Sequence, residues 1–177
     1  LDGAGAPFSV DAPPFSWFEV LPDNRVIFHT PKVEMGQGIH TALAQIAADE
    51  LGVSFDQLIV QQASTQRGPN DSGGTGASGS VSGLFTPLRQ AAATAREMLR
   101  AEAGKKLDVS GDQLTVENGV FTAPDGKTMT FGEAVKDVSE WAELTTEPTL
   151  KSPSEWRYIG KRVQRVDFEL KLTGQPV

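Results

Sequence analysis

The 177-residue sequence contains no cysteine. Thiolate metal sites, iron–sulfur ligation and disulfide bonds are therefore excluded within this chain, because each of them needs a cysteine sulfur. An iron–sulfur centre that worked with this chain would have to be bound by a partner. A histidine-based metal cluster is not predicted either, since His29 and His40 are the only histidines.

Positive charge and long apolar runs are also scarce. Lys and Arg total 16 against 23 Asp and Glu, which gives a formal net charge of -7. This balance argues against a nucleic-acid partner, because phosphate binding needs a basic face. No apolar run approaches the ~18 residues that a membrane-spanning helix needs. The length is enough for one domain with a core, or for one domain plus a tail.

The first half of the sequence predicts a strand pair followed by a helix. Residues 1–15 are rich in Gly, Ala and Pro and predict an extended lead-in. Strands are predicted at 15–21 and 25–31, joined by a Pro-Asp-Asn turn. A helix follows, with Gly52 as its C-cap. Its apolar residues recur at helical spacing and form one stripe: Ile39, Leu43, Ile46, Ala47 and Leu51.

The second half predicts a short strand at 57–63 and a second, longer helix. That helix is expected to begin at Leu84, with Pro87 in its first turn and Gly104 as its stop. A hairpin is predicted across 113–130, and a short helix after it at residues 131–141.

Together these elements predict a two-layer α+β fold, with the two long helices packed on one face of a mixed or mostly antiparallel sheet. The domain is expected to span residues 16–145, and residues 146–177 are expected to form an extended arm or linker. Small residues on the helices would let them approach closely: Ala42, Ala44, Ala47, Ala91, Ala92 and Ala95.

A Gly-Gln-Gly turn at residues 36–38 leads into the first long helix. A helix N-terminus offers unpaired N–H groups and a partial positive charge, and glycines let a ligand approach the backbone. Gln37 adds an amide that can both donate and accept, which suits the edge of a heterocycle. The alternative is that the glycines merely permit a sharp turn and that Gln37 is exposed.

A second glycine-rich segment, "GGTGASGSVSG" at residues 73–83, precedes the second long helix. Its backbone N–H groups and hydroxyls could bind phosphate oxygens. It lacks the lysine of an ATP-binding P-loop. Gly74, Gly76 and Gly79 have the G-x-G-x-x-G spacing, but the motif does not directly follow the predicted strand at 57–63, so a Rossmann site does not fit and a kinase-like nucleotide site is weakly supported. The alternative is a flexible Gly/Ser linker. Two such turns in one small domain favour a shared ligand.

The run "EMGQGIHTALAQIAADELGV…STQRGPNDSGGTGASGSVSG" resembles the molybdopterin-binding region of the xanthine dehydrogenase/aldehyde oxidase family of molybdenum hydroxylases. The likeness includes Met-Gly-Gln-Gly, then Thr41 and Gln45 one turn apart, and Thr-x-x-Ser-x-Ser before a helix. The resemblance implies that the first turn lies against the pterin and that the second lines the pyrophosphate or dinucleotide. The implied cofactor-binding residues are Met35, Gly36, Gln37, Gly38, Thr75, Ala77, Ser78, Gly79 and Ser80.

The tail "LKSPSEWRYIGKRVQRVDFELKLTGQPV" resembles a segment that precedes the Gly-Gln-Gly block in xanthine dehydrogenase, whereas here it follows the block. This order resembles large subunits of the isoquinoline 1-oxidoreductase and periplasmic aldehyde dehydrogenase type. The resemblance implies an N-terminal piece of a longer, periplasmic subunit, with a small [2Fe-2S] subunit as partner. It also implies a molybdenum–molybdopterin cofactor in its cytosine dinucleotide form, and an aldehyde or N-heterocycle as substrate.

The catalytic glutamate of that family has no counterpart in this sequence. Glu34 is expected to be a solvated carboxylate at a strand end, and Glu50 is expected to lie on the surface of the helix. The cofactor's own dithiolene sulfurs would hold the molybdenum, so no protein metal ligand is needed. The isolated chain is therefore expected to be inactive and to lack the cofactor. The competing hypothesis is a non-catalytic α+β binding module with structural glycine loops.

Overall fold

The computed structural model describes residues 13–64, 66–71, 74–141 and 144–175. Most of the predicted lead-in, residues 1–12, lies outside the described residues. The helices and strands, in chain order, are α1 Pro14–Trp17, β1 Phe18–Val20, β2 Val26–Thr30, α2 Ile39–Leu51, β3 Leu58–Gln62, α3 Ser80–Leu107, β4 Thr115–Glu117, β5 Val120–Thr122, β6 Thr128–Thr130, α4 Phe131–Val135 and α5 Phe168–Leu172. None of the described helices is long and apolar enough to cross a membrane.

The strands form two separate three-stranded sheets. In the first, β1 pairs antiparallel with β2, and β2 pairs parallel with β3, so that Val26 lies opposite Leu58. The parallel pair needs a crossover, and α2 supplies it. The second sheet, β4-β5-β6, is antiparallel throughout. The α+β prediction is confirmed, with the strands divided between a mixed sheet and an antiparallel one.

The core lies where α2 and α3 pack on each other and on the first sheet. All five residues of the predicted α2 stripe are buried, and Leu43 is fully so. Ala92 and Ala95 present small side chains from α3 to the same core. Each fully buried leucine contributes roughly 2 kcal/mol through removal of apolar surface from water. The apolar periodicity of the sequence thus correctly predicted α2 residues that enter this core, although polar residues such as Asp49 and Glu50 on the same helix are buried as well.

Several predicted boundaries were wrong. Helix α3 begins at Ser80 rather than Leu84, so Pro87 lies inside the helix and not in its first turn. Gly104 does not end the helix, which runs on to a left-handed C-cap at Asp108. Burial of Leu84 in the core stabilises the first turns despite their Ser and Gly residues, because tertiary contacts override helix propensity.

Two other predicted elements also differ. Residues 15–17, predicted to begin a strand, belong instead to the short helix α1, which starts at Pro14 because proline fits the first turn of a helix. Helix α4 ends at Val135 instead of reaching residue 141.

The tail lies across the polar edge of α2. Asp49 accepts hydrogen bonds from the amides of Arg157, Tyr158 and Ile159, the shortest at 2.7 Å. Gln45, one turn earlier, donates to the carbonyl of Tyr158 at 2.5 Å and to that of Lys161. Thr41, another turn earlier, accepts from the amide of Val166 at 3.2 Å.

Residues 41, 45 and 49 therefore form a polar row at helical spacing that binds the backbone of the tail. The tail is not wholly extended, since it contains a 3-10 turn at Pro153–Glu155 and helix α5. Its role as a linker, and the domain limits 16–145 and 146–177, stay predictions.

Glu50 is fully buried, so the expectation of a surface carboxylate was wrong. Its oxygens accept hydrogen bonds from Arg89 Nε at 2.6 Å and from the Lys151 amide at 3.2 Å. Arg96 Nη1 lies 3.5 Å from the same carboxylate. Helix α3 thus supplies two arginines to one α2 glutamate, and this pairing permits a charge in the core.

Candidate functional site

The two glycine-rich segments meet at one cleft of about 540 Å³. This volume falls within the range typical of small-molecule sites. One wall comes from the turn before α2 and the other from the loop before α3. The cleft is lined by Met35, Gln37, Gly38, Ile39, Ala42, Thr75, Gly76, Ala77, Ser78, Ser80 and Val81.

Three contacts fix the loop against the strand end that precedes the turn. The Val33 amide donates to Thr75 Oγ1 at 2.9 Å. Lys32 Nζ forms an ion pair with Asp71 at 2.8 Å and donates to the Gly74 carbonyl. Lys32 is fully buried, and a buried ammonium group requires such partners. The relative position of the two cleft walls is therefore set by buried polar contacts.

The N-terminus of α2 is capped by the chain itself. The Glu34 carboxylate accepts hydrogen bonds from the amides of Gly36, Gly38 and His40, at 2.8, 2.9 and 3.2 Å. The prediction that these N–H groups are available to a ligand was wrong, because a carboxylate two residues before Gly36 satisfies them. Glu34 is also not a solvated carboxylate, since its side chain is 8% exposed.

Gln37 is bonded to its own turn. Its Oε1 accepts from the Met35 amide at 2.6 Å, and its Nε2 donates to the Val33 carbonyl at 2.9 Å. A side-chain amide has two N–H donors and two lone pairs on its oxygen. Gln37 therefore keeps one donor and one acceptor for a molecule in the cleft while it holds the turn together.

The N-terminus of α3 is open by contrast. No side chain in the described part of the chain accepts a hydrogen bond from the amides of residues 80–82, and the N-cap Gly79 provides no cap. Ser80 lines the cleft, is only 8% exposed, and its hydroxyl has no hydrogen-bond partner among the described residues. These amides and this hydroxyl are donors that an anion at the cleft would satisfy.

The loop before α3 contains two residues in an unusual backbone conformation. Ala77 and Ser78 have φ values of 50° and 54°, and the Gly79 amide donates to the Gly76 carbonyl at 3.1 Å. A left-handed conformation costs roughly 1–2 kcal/mol for each non-glycine residue. Such strain is typical of loops that bind ligands.

A cluster of charges lies on the other side of the Gly-Gln-Gly turn. Arg165 forms two hydrogen bonds with Asp167, which also pairs with Lys171 at 2.5 Å. The Arg165 hydrogen bond, opposed by burial and assisted by Lys171, lowers the pKa of Asp167. Burial opposes ionisation of Glu34, but the bonds from Gly38, His40 and Gly36 and the charge of Arg165 outweigh it and lower its pKa.

Acidification is therefore expected to destabilise the protein. The ordinary pKa values are 3.8 for Asp167 and 4.5 for Glu34, and both are lowered by folding. The stability that these groups contribute is fully present above the ordinary values and is lost as pH falls through the lower folded-state values. The free energy of unfolding from urea titrations should decline as pH falls below about 4. Asp167→Asn should make the decline shallower; an equally steep decline in that variant would contradict the assignment.

Most of the predicted site residues line the same cleft. Met35, Gln37 and Gly38 line one wall, and Thr75, Ala77, Ser78 and Ser80 line the other. Gly36 and Gly79 do not line the cleft: the Gly36 carbonyl faces Arg165, and Gly79 is the N-cap of α3. Their assignment to a cofactor stays a prediction.

Four supporting residues were missed or misread. Ile39 and Ala42 line the cleft, and their small or apolar side chains gave no signal beyond the helix pattern. The capping role of Glu34 could have been predicted from a carboxylate just before a glycine-flanked helix start. Arg165 could not, because more than 120 residues separate it from the turn that it contacts.

A family model for the molybdopterin cofactor-binding domain matches residues 3–169. The chain belongs to the molybdopterin cofactor-binding domain family. This molybdopterin-binding family member is 36% identical to a nicotinate dehydrogenase subunit of Pseudomonas putida over 156 residues, which cover 88% of the chain and 13% of that protein. It is 31% identical to the beta subunit of isoquinoline 1-oxidoreductase from Brevundimonas diminuta, over 92% of the chain and 26% of that protein.

A solved structure with a similar fold supports the same family assignment. The chain matches quinoline 2-oxidoreductase from Pseudomonas putida 86 with a TM-score of 0.54 and 34% identity, over 67% of this chain and 15% of that one. The resemblance to molybdenum hydroxylases predicted from the two glycine-rich segments is confirmed. The chain spans about an eighth to a quarter of the length of the two relatives.

Proposed function

We propose that the cleft between the turn before α2 and the loop before α3 binds the molybdenum cofactor of an oxidoreductase. The observation that carries this proposal is the pairing of an open α3 N-terminus with the unpaired hydroxyl of Ser80, a residue that is 8% exposed, at the same cleft as Gln37. Anionic groups suit the N-terminus and its hydroxyl, and a neutral heterocycle suits the amide of Gln37. A pterin linked to phosphate has both kinds of group.

The two walls differ in charge, and this difference sets the orientation of the ligand in the cleft. At α2 the Glu34 carboxylate accepts the His40 amide and places a negative charge at the helix N-terminus, so that wall disfavours an anion and offers the uncharged amide of Gln37 and the thioether of Met35. At α3 the amides of residues 80–82 remain available to phosphate oxygens. The pterin would therefore lie at Met35 and Gln37, and the pyrophosphate at Thr75, Ser78 and Ser80.

When bound, the cofactor supplies the metal-centred redox chemistry that hydroxylates an aldehyde or an N-heterocycle with oxygen from water. The cofactor's sulfurs hold the metal, which fits a chain without cysteine. The residues of this chain bind the cofactor and orient it. Glu34 does not act as the catalytic base in this proposal, because its oxygens already accept three amides and it lies 3.4 Å from Arg165. The base is assigned to another part of the enzyme.

The proposal extends to the whole enzyme. The chain would be the N-terminal part of a periplasmic large subunit that works with a small [2Fe-2S] subunit. The relatives named for nicotinate and isoquinoline oxidation support an N-heterocycle as one substrate class, with an aldehyde as the other. The cofactor would be the cytosine dinucleotide form. The chain alone would be inactive and would lack the cofactor, since other parts of the subunit complete the walls.

Ser80→Ala is expected to lower cofactor retention about tenfold, the effect of losing one hydrogen bond to a charged group. The measurement is molybdenum and pterin per chain in the complete large subunit, co-expressed with its partner in a host that makes the cofactor. Ser82→Ala is the matched control, because Ser82 lies two residues away on the same helix but is exposed and bonds to the Gly79 carbonyl. Its cofactor content should equal that of the wild type.

Equal molybdenum and pterin in wild type, Ser80→Ala and a Gln37→Ala variant would overturn the proposal. That result would favour the non-catalytic binding module, in which the glycine-rich loops are structural.

A further inference from the structure

Arg165 contacts the Gly-Gln-Gly turn from the side opposite the cleft. Its Nη1 donates to the Gly36 carbonyl at 2.9 Å, and its Nη2 lies 3.4 Å from Glu34 Oε1. The guanidinium is itself held by Asp167, through Nε at 2.9 Å and Nη2 at 2.8 Å. The forked geometry of arginine suits this bidentate pairing and leaves Nη1 for the turn.

The turn is a thin wall between two spaces. Met35 lines the cofactor cleft and also a groove between β3 and α5 on the other side. A methyl group added at Gly38 would meet Arg165 Nη1 at 3.5 Å, so the guanidinium lies against the back of the turn. Whatever moves Arg165 would therefore move the wall that presents Met35 and Gln37.

The positive charge of Arg165 pairs with two nearly buried carboxylates. Glu34 and Asp167 both have side chains that are 8% exposed, and Arg165 lies between them. Asp167 has Lys171 as a second cation. Arg165 is the only cation that forms an ion pair with Glu34 in the described part of the chain. Without it, a nearly buried carboxylate would be held by amides alone and would be drawn towards water.

We propose that Arg165 is a positioning residue for the cofactor cleft, which holds Glu34 and Gly36 so that Met35 and Gln37 keep their places on the cleft wall. The inference rests on the proposed function, because it assigns the consequence of that geometry to cofactor binding. It also gives the tail a role. The row Thr41, Gln45 and Asp49 docks the tail on α2, and Arg165 transmits that docking to the turn.

Three variants separate positioning from a general structural effect. Arg165→Met removes the charge and the hydrogen bonds while it keeps an unbranched chain, and Arg165→Lys restores the charge without the fork. Arg162→Met is the matched control, since Arg162 lies three residues away, is exposed, and has no hydrogen bond or ion pair among the described residues. Complete protein made in a host without the cofactor is compared with protein made in a host that supplies it.

The first measurement is amide hydrogen exchange of the peptide covering residues 33–42, in cofactor-free protein. Arg165→Met should raise the exchange rate there about tenfold, because the amides of Gly36, Gly38 and His40 lose a fixed acceptor, while peptides from the middle of α3 stay unchanged. Arg165→Lys should recover part of the protection. Arg162→Met should match the wild type. Unchanged exchange in Arg165→Met would overturn the inference.

The second measurement is molybdenum and pterin per chain in protein from the cofactor-producing host. Arg165→Met should lose about as much cofactor as Ser80→Ala. Faster exchange with undiminished cofactor would also overturn the inference, because Arg165 would then order the turn without shaping the cleft. Failure of the proposed function is distinct from both results, since it shows as an undiminished cofactor content in Ser80→Ala and Gln37→Ala.

Discussion

Glu50→Ala is expected to destabilise the protein by about 3–5 kcal/mol, the usual cost of removing one partner from a buried ion pair. Glu50 is fully buried, and the side chains of Arg89 and Arg96 beside it are 12% and 5% exposed. The alanine variant would leave Arg89 beside a cavity with no carboxylate partner among the described residues, and Arg96 with Glu97 alone, at 2.8 Å. The measurement is the free energy of unfolding from urea titrations near neutral pH.

Two further variants test the cause. Glu50→Gln keeps the volume and removes the charge, so it should cost less than alanine. Glu117→Ala removes a carboxylate that is 77% exposed and pairs with Arg157 at 3.5 Å, and it should change stability by under about 1 kcal/mol. Similar costs for Glu50→Ala and Glu117→Ala would mean that the buried position of the carboxylate does not matter.

Asp49→Ala is expected to release the tail from α2. The carboxylate is 1% exposed and accepts three consecutive amides, so its removal costs about 3 kcal/mol if the bonds are partly additive. Trypsin offers a direct measurement, because Arg157, Lys161 and Arg162 lie in the segment that would detach. Cleavage there should become at least about tenfold faster.

The control for this prediction is Asp112→Ala, which removes an exposed carboxylate from a 3-10 turn elsewhere. Its tryptic pattern should match that of the wild type. Wild-type cleavage rates in Asp49→Ala would show that the tail is held by contacts other than this carboxylate.

Local patterns predicted much of the fold. The stripe on α2 follows from side chains that recur with the period of the helix, and Gly52 at its end has the left-handed conformation of a C-cap. These signals depend on neighbours within one or two turns. The start of α3 was placed too late, because its Ser and Gly residues disfavour a helix locally, whereas burial of residues such as Leu84 in the core stabilises it.

The site was predictable in its residues but not in its hydrogen bonds. Glycines and hydroxyls before two helices pointed to a shared cleft, and Gln37 and Ser78 do line one cleft. Thr41 and Gln45 stood out only through the resemblance. Their partners in the tail lie more than 100 residues away, so no local pattern could show that they bind the backbone of the tail. The burial of Glu50 depends in the same way on arginines from another helix.

The left-handed backbone at Ala77 and Ser78 costs folding stability but gives the loop the shape that lines the cleft. Heat resistance and ligand binding therefore place opposite demands on these two residues. Glycine at either position would remove the steric cost. The larger conformational entropy of glycine in the unfolded chain would cancel part of that gain in stability. It would also widen the range of shapes open to the loop in solution. Directed-evolution libraries screened for heat resistance alone should therefore accumulate glycine at positions 77 and 78, and the selected variants should bind less cofactor. Libraries screened for both properties should retain alanine and serine.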